Sequence, residues 1–154
     1  MQSKPKIWVI NGPNLNKLGS REPDIYGKKT LEDINAELLS IAKDNSVSID
    51  FFQSNHEGEI VEVIHSADQL KVESFIINLG ALTHTSISIR DSLQAINNTH
   101  FIEVHLSNIF AREEFRHFSY FSDIAKGIIS GLGYKGYIYA LNYLIEEING
   151  SEET

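Results

Sequence analysis

The stretch KIWVIN, Lys6 to Asn11, is a short apolar run with β-branched content that breaks at Gly12 and Pro13. Such a run, closed by turn residues, reads as a β-strand. Four more follow it: VSIDFFQ (Val47 to Gln53), SFIIN (Ser74 to Asn78), FIEVHL (Phe101 to Leu106) and AKGIIS (Ala125 to Ser130). Between them, apolar residues recur at helical spacing. Thr30 is placed as the N-cap of a helix carrying Leu31, Ile34, Leu38 and Ile41, with Asp33 three positions on and an end near Asp44. Ile60, Val61 and Ile64 define a second apolar face, and Ile87, Ile89, Leu93 and Ile96 a third of looser period. Tyr137, Leu141, Leu144, Ile145 and Ile148 line a fourth, with Gly133 and Gly136 at its start and Gly150 beyond its end. This alternation predicts a doubly wound α/β domain with a parallel sheet and helices on both faces.

The 154 residues fit one domain, read as residues 1–150 with an acidic C-terminal tail at 151–154. An apolar content of 42% is enough for a core, which excludes a disordered or collagen-like chain. The absence of cysteine removes disulfide, thiolate and zinc-ribbon chemistry and leaves His, Asp and Glu as the strong metal ligands. The first apolar run is too short for a signal peptide or a membrane span, so a cytoplasmic protein is expected. A formal charge of −8 argues against nucleic acid as a partner. Three of the four arginines, Arg21, Arg112 and Arg116, nevertheless fall in or beside loops, where they could form a local anion site.

In open parallel sheets ligands gather at the carboxyl ends of the strands. Here those ends run into Asn11-Gly12-Pro13-Asn14, Asn78-Leu79-Gly80-Ala81 and His105-Leu106-Ser107-Asn108. Gly12 and Gly80 are read either as tight turns or as backbone cradles for an anion; neither a dinucleotide fingerprint nor a P-loop follows the first strand. His105 is the candidate general acid or base, with Glu103 two residues earlier on the same strand face to orient it. The alternative is a half-buried histidine satisfied by a carbonyl. His84 is read as a ligand contact at a helix start or as a surface residue beside a cap. A metal held by His84, His105 and Glu103 matches no known spacing and is not expected. The 14 residues from Leu15 to Lys28 form a long irregular stretch of the kind that serves active sites. Within it, Tyr26 is either a phenol activated by Arg21 or an aromatic anchor for the loop.

Three long segments taken together, NGPNLNKLGSREPDIYG (Asn11 to Gly27), NLGALTHTSISIRD (Asn78 to Asp91) and EVHLSNIFAREEFR (Glu103 to Arg116), closely resemble the type II 3-dehydroquinate dehydratases. The likeness continues through AKGIISGLGYKGYIYAL (Ala125 to Leu141) and covers nearly the whole chain. It implies a flavodoxin-like three-layer sandwich with a five-stranded parallel sheet, assembled into a dodecamer built from trimers. The implied activity is the anti elimination of water from 3-dehydroquinate to give 3-dehydroshikimate, in the shikimate pathway, without cofactor or metal.

Carried over residue by residue, the resemblance makes Tyr26 the base that takes the proton α to the ketone, with Arg21 lowering its pKa. Asn14 then serves the developing enolate, His105 protonates the departing hydroxyl, and Glu103 orients His105. Asn78, His84 and Arg116 match substrate-binding positions, Leu106 and Ser107 serve the carboxylate side, and Arg112 is a second arginine near the lid. Asp91 matches a residue that reaches the site of a neighbouring subunit. The chain departs from the family at Leu79, where proline is common, at Leu82, where an aromatic is common, and at Phe110, where histidine is usual. The sequence leaves two other readings open: a binding module for a phosphate or flavin, and a scaffold that has lost turnover.

Overall fold

The computed structural model describes residues 3–20, 22, 24, 27–96 and 99–153. Five strands, β1 (Lys6–Asn11), β2 (Ser48–Gln53), β3 (Ser74–Asn78), β4 (His100–His105) and β5 (Gly127–Ser130), form one sheet in the order β2-β1-β3-β4-β5, every pair parallel. Among the described residues, four α-helices of nine residues or more connect and close it: α1 (Leu31–Asp44), α2 (Glu57–Gln69), α3 (Ile87–Ala95) and α4 (Lys135–Glu153). This is the flavodoxin-like strand order, and the chain leaves β1 in one direction for β2 and returns past it to β3. The crevice that reversal opens at the carboxyl ends of β1 and β3 is where such sheets bind ligands.

Successive strand residues point to opposite faces, so each strand feeds two cores. Ile7, Val9, Ile76, Ile102 and Val104 pack with Ile34 and Leu38 of α1 and with Tyr137, Leu141 and Leu144 of α4. On the other face Trp8, Ile10, Phe75, Ile77 and Phe101 pack with Ile60 and Ile64 of α2 and Ile89 and Leu93 of α3. The three-layer sandwich follows directly from this division.

At the start of α1 the Thr30 amide donates to Asp33 Oδ2 and the Asp33 amide to Thr30 Oγ1, both at 3.1 Å, a reciprocal capping box. Two features differ from the expected pattern. Gly150 does not terminate the last helix, which runs through it to Glu153. Ile87 is 54% exposed and Ile96 follows the helix end, so the buried face of α3 rests on Ile89 and Leu93. A nine-residue helix has room for only a narrow apolar stripe. Gly136 sits in the first turn of α4, where an added Cβ would stand 3.2 Å from Ile129 and 3.3 Å from Val104; the missing side chain lets the helix start lie close on β4 and β5.

Candidate active site

The ends of β1 and β3 meet backbone to backbone. The Gly12 amide donates to the Asn78 carbonyl at 2.8 Å, and a Cβ on Gly12 would lie 2.3 Å from the Leu79 oxygen, well inside contact distance. Gly80 adopts a φ of +57°, the left-handed region that favours glycine, and its amide donates to Asn78 Oδ1 at 3.2 Å. Both glycines therefore act as close-packing turns, and neither amide is left to cradle an anion. Asn14 is also left-handed, at φ 70°, and its amide donates to Asn55 Oδ1 at 3.0 Å, so its exposed side chain stands at the rim of the crevice.

Asn78 is buried beneath this turn. Its Nδ2 donates to the Tyr137 hydroxyl at 2.9 Å, and that hydroxyl donates to Asn11 Oδ1 at 2.5 Å. Tyr137 is wholly buried, and burial pushes its phenol well above the ordinary value despite the hydrogen bond from Asn78. It ties the first turn of α4 to the ends of both central strands. Asn11 Nδ2 has no partner among the described residues.

Alternation along β4 turns Glu103 and His105 to the same side as Phe101, at 3% and 5% exposure. Neither belongs on an apolar face alone, and they solve the problem together: His105 Nε2 lies 2.5 Å from Glu103 Oε2, and Ser122 Oγ donates to Oε1 at 2.7 Å. Burial by itself would raise the Glu103 carboxyl. The hydrogen bond and charge of His105, with hydroxyls from Ser122 and Ser119, outweigh it and hold the group below the usual carboxylate range. With Nε2 engaged by the carboxylate, Nδ1 is the ring nitrogen left for a ligand.

His105 closes the floor of a cavity of about 120 Å³ whose walls include Asn14, Lys17, Asn78, His84, Leu106, Ser107, Arg112 and Arg116. Eight of the twelve residues singled out from the sequence thus line one pocket, and Glu103 stands directly behind it. Asp91 is exposed on α3 and does not line this cavity. Arg21 and Tyr26 lie outside the described residues. Lys17 was missed, because nothing in a loop sequence fixes which lysine turns inward. The backing residues Ser119, Ser122 and Tyr137 were missed for a different reason: their partners are far away in the chain.

His84 donates from Nδ1 to the Phe118 carbonyl at 2.7 Å. Burial, joined by the positive charges of His105 and Arg116, lowers its pKa against the opposing pull of that carbonyl and of Glu103. A neutral imidazole so fixed presents Nε2 as an acceptor for a ligand hydroxyl. Opposite it, Arg112 Nη1 donates to Ser107 Oγ at 3.3 Å, and Arg116 Nε donates to Glu113 Oε1 at 3.1 Å. Among the described lining residues there are three permanent cations, Lys17, Arg112 and Arg116, and no carboxylate. On an acidic protein that local excess draws a small anion. No group of three or more His, Asp and Glu among the described residues is arranged to hold a metal ion. Of the family departures, Leu79 is buried in the core against α2 and α3, Leu82 packs at its edge, and Phe110 is exposed with its ring 5.7 Å from that of His117.

Fold and site together define a flavodoxin-like α/β enzyme with a buried imidazole–carboxylate pair facing a small cationic pocket at the sheet's switch point. The chain belongs to the class II dehydroquinases: the family model described as dehydroquinase class II matches residues 5–145. It is 55% identical over 143 residues to a 3-dehydroquinate dehydratase of Legionella pneumophila (strain Corby), covering 93% of this chain and 98% of that one. It is 56% identical over 145 residues to a 3-dehydroquinate dehydratase of Acinetobacter baumannii (strain AYE), covering 94% and 95%. The crystal structure of type II dehydroquinase from Butyrivibrio crossotus superposes with a TM-score of 0.90 at 44% identity, over 93% of this chain and 99% of that one.

Proposed function

We propose that this chain is a hydro-lyase that removes water from 3-dehydroquinate by anti elimination, through an enolate, to give 3-dehydroshikimate. The observation that carries the reading is the buried Glu103–His105 pair at the floor of a pocket walled by Lys17, Arg112 and Arg116. The substrate carboxylate meets Arg116 and Arg112 with Leu106 and Ser107, while Asn78 and His84 receive its hydroxyls. Tyr26, as a phenolate favoured by Arg21, takes the proton α to the ketone, and Asn14 serves the enolate oxygen. The electron pair of that enolate then forms the new double bond as the carbon–oxygen bond breaks. His105, protonated and held by Glu103, supplies the proton with which the hydroxyl departs as water. The two proton transfers occur on opposite faces of the ring, so a base on the 15–28 loop and an acid on a rigid strand end suit the stereochemistry.

The same reading takes residues 1–150 as one catalytic domain, 151–154 as an acidic extension, and the protein as cytoplasmic, acting without metal or cofactor in the shikimate pathway. Its assembly is a dodecamer built from four trimers, in which Asp91 serves a neighbouring subunit; the exposed Phe110, Phe115, Phe118, Ile128 and Leu132 support subunit contacts. No described helix is long and apolar enough to cross a membrane. A phosphate-binding module is disfavoured because the Gly12 and Gly80 amides are already bonded within the protein. The direct test adds 3-dehydroquinate to the metal-free protein and follows the conjugated enone by ultraviolet absorbance. Absence of product from the assembled protein would overturn the proposal, and native mass spectrometry checks the subunit count.

A further inference from the structure

We infer that the turn Ser119 to Ser122 is a positioning device for the Glu103–His105 pair, and that Ser122 is the residue that fixes the carboxylate in register with the imidazole. This rests on the reading of His105 as the proton donor. A buried carboxylate has two oxygens to satisfy, and the imidazole takes only one of them. Ser122 Oγ donates to the other at 2.7 Å, from a residue 19 positions along the chain. With both oxygens bonded, the carboxylate cannot rotate about its own axis without losing one partner, so the edge it offers to His105 is set from behind.

The hydroxyl is itself held. Ser119 Oγ accepts the amides of Phe121 at 3.0 Å and Ser122 at 3.2 Å, which closes the turn and leaves the Ser119 hydrogen for Glu103 as well. The Phe121 side chain is buried in the core on this face of the sheet, and the Tyr120 amide donates to the Thr83 carbonyl at 3.0 Å. Arg90 of α3 then grips the turn from outside, donating to the Tyr120 carbonyl at 2.8 Å and to both oxygens of Asp123 at 2.5 and 3.0 Å. A chain of contacts thus runs from α3 through the turn to the ring that faces the pocket. The charged and titratable groups around the pair are His84 and Arg116 across the cavity, Arg112 and Lys17 on its walls, and Arg90 with Asp123 behind the turn.

Ser122 is not among the residues that line the pocket, so its removal should act on turnover and its pH dependence while leaving substrate affinity in place. In Ser122→Ala the Glu103 carboxylate loses one of the donors that hold it low, so the acid limb of the pH profile of kcat, set by protonation of Glu103, should move up by about one to two pH units, the loss expected for one hydrogen bond to a charged acceptor. At neutral pH kcat should fall by roughly tenfold with KM within about twofold of the parent value, and Ser122→Thr should restore both. Ser122→Cys, nearly the same size but a weak donor, should shift the limb in the same direction if Ser122→Ala does not fold. A second readout is independent of turnover: infrared titration of the Glu103 carboxylic-acid band, assigned by its loss in Glu103→Gln, should move with the acid limb. If the parent protein shows no turnover, the dehydratase reading fails while the infrared titration still decides the role of Ser122. An unmoved band in Ser122→Ala and Ser122→Cys, or a fall in kcat that Ser122→Thr does not restore, overturns the inference.

Discussion

The floor and the rim of the pocket are built on opposite terms. On the floor, Asn78, Glu103, His105 and Tyr137 are buried and bonded to protein, with hydrogen bonds of 2.5 to 2.9 Å joining Tyr137 to Asn78 and Asn11, and Glu103 to His105 and Ser122. On the rim, Arg112 and Arg116 are partly exposed, and a carboxylate on their own segment, Glu113, stands within ion-pair distance of both. Under the proposed mechanism, a floor of this kind holds its reacting groups in place before substrate arrives, which lowers the barrier. A rim whose cations already have a competing anion binds substrate by exchange, and the net gain is smaller. Floor substitutions should therefore act on kcat and rim substitutions on KM.

The largest departure is expected at the floor. His105→Gln should lower kcat by about 10² to 10⁴, the range for a lost general acid, with a much smaller change in KM. Steady-state kinetics across pH checks it; a KM-only effect would return His105 to the role of a structural histidine. Tyr26→Phe should match it in size in the same kinetic measurement.

Next comes the rim. Arg116→Ala should raise KM roughly 10- to 100-fold, the equivalent of one or two charge-assisted hydrogen bonds to a carboxylate, with kcat little changed. KM should also rise with ionic strength in the parent enzyme and less steeply in the variant. A kcat loss as large as that at His105 would erase the division between the two regions.

Smaller effects separate the parts of the floor that hold the fold from those that do chemistry. Tyr137→Phe leaves Asn11 Oδ1 and Asn78 Nδ2 without their shared hydroxyl, and unfolding free energy should fall by about 1–3 kcal/mol. Since the folded phenol is raised above its unfolded value near 10, the parent protein should lose stability as pH climbs past that value, and the variant should lose less. Glu103 works with the opposite sign. Its folded carboxyl is held below its unfolded value near 4.3, so its contribution is intact above that pH and disappears as pH falls through the folded value. Thermal unfolding between neutral and strongly acidic pH should thus be flatter for Glu103→Gln than for the parent.

This division also explains what could be read from the sequence. Strands and helices emerged from apolar spacing, because both cores are fed by alternation along the strands and by stripes on the helices. Asn78 and His105 were visible as polar residues ending apolar runs, and Glu103 as a charge with no place on a buried face unless paired. The contacts behind them were not visible, since Ser122 to Glu103 and Tyr137 to Asn11 join residues 19 and 126 positions apart with no local pattern. Arg112 and Arg116 could be placed near an anion site but not ranked against Glu113. Tyr26 and Arg21 drew their roles from family resemblance, since a loop tyrosine carries no period or strand-end position to mark it.

The finest test of the contrast is Glu113. Its carboxyl is held below the usual range by its own backbone amide first and by Arg116 next, so at neutral pH it is a full negative charge paired with the cation proposed to meet the substrate. Glu113→Gln keeps the shape and removes that charge. KM should then fall, by no more than a few-fold because exposed pairs are weak, and kcat should hold. An increase in KM would mean that Glu113 orients Arg116 for the substrate instead of competing with it, and the rim would then share the floor's preorganisation.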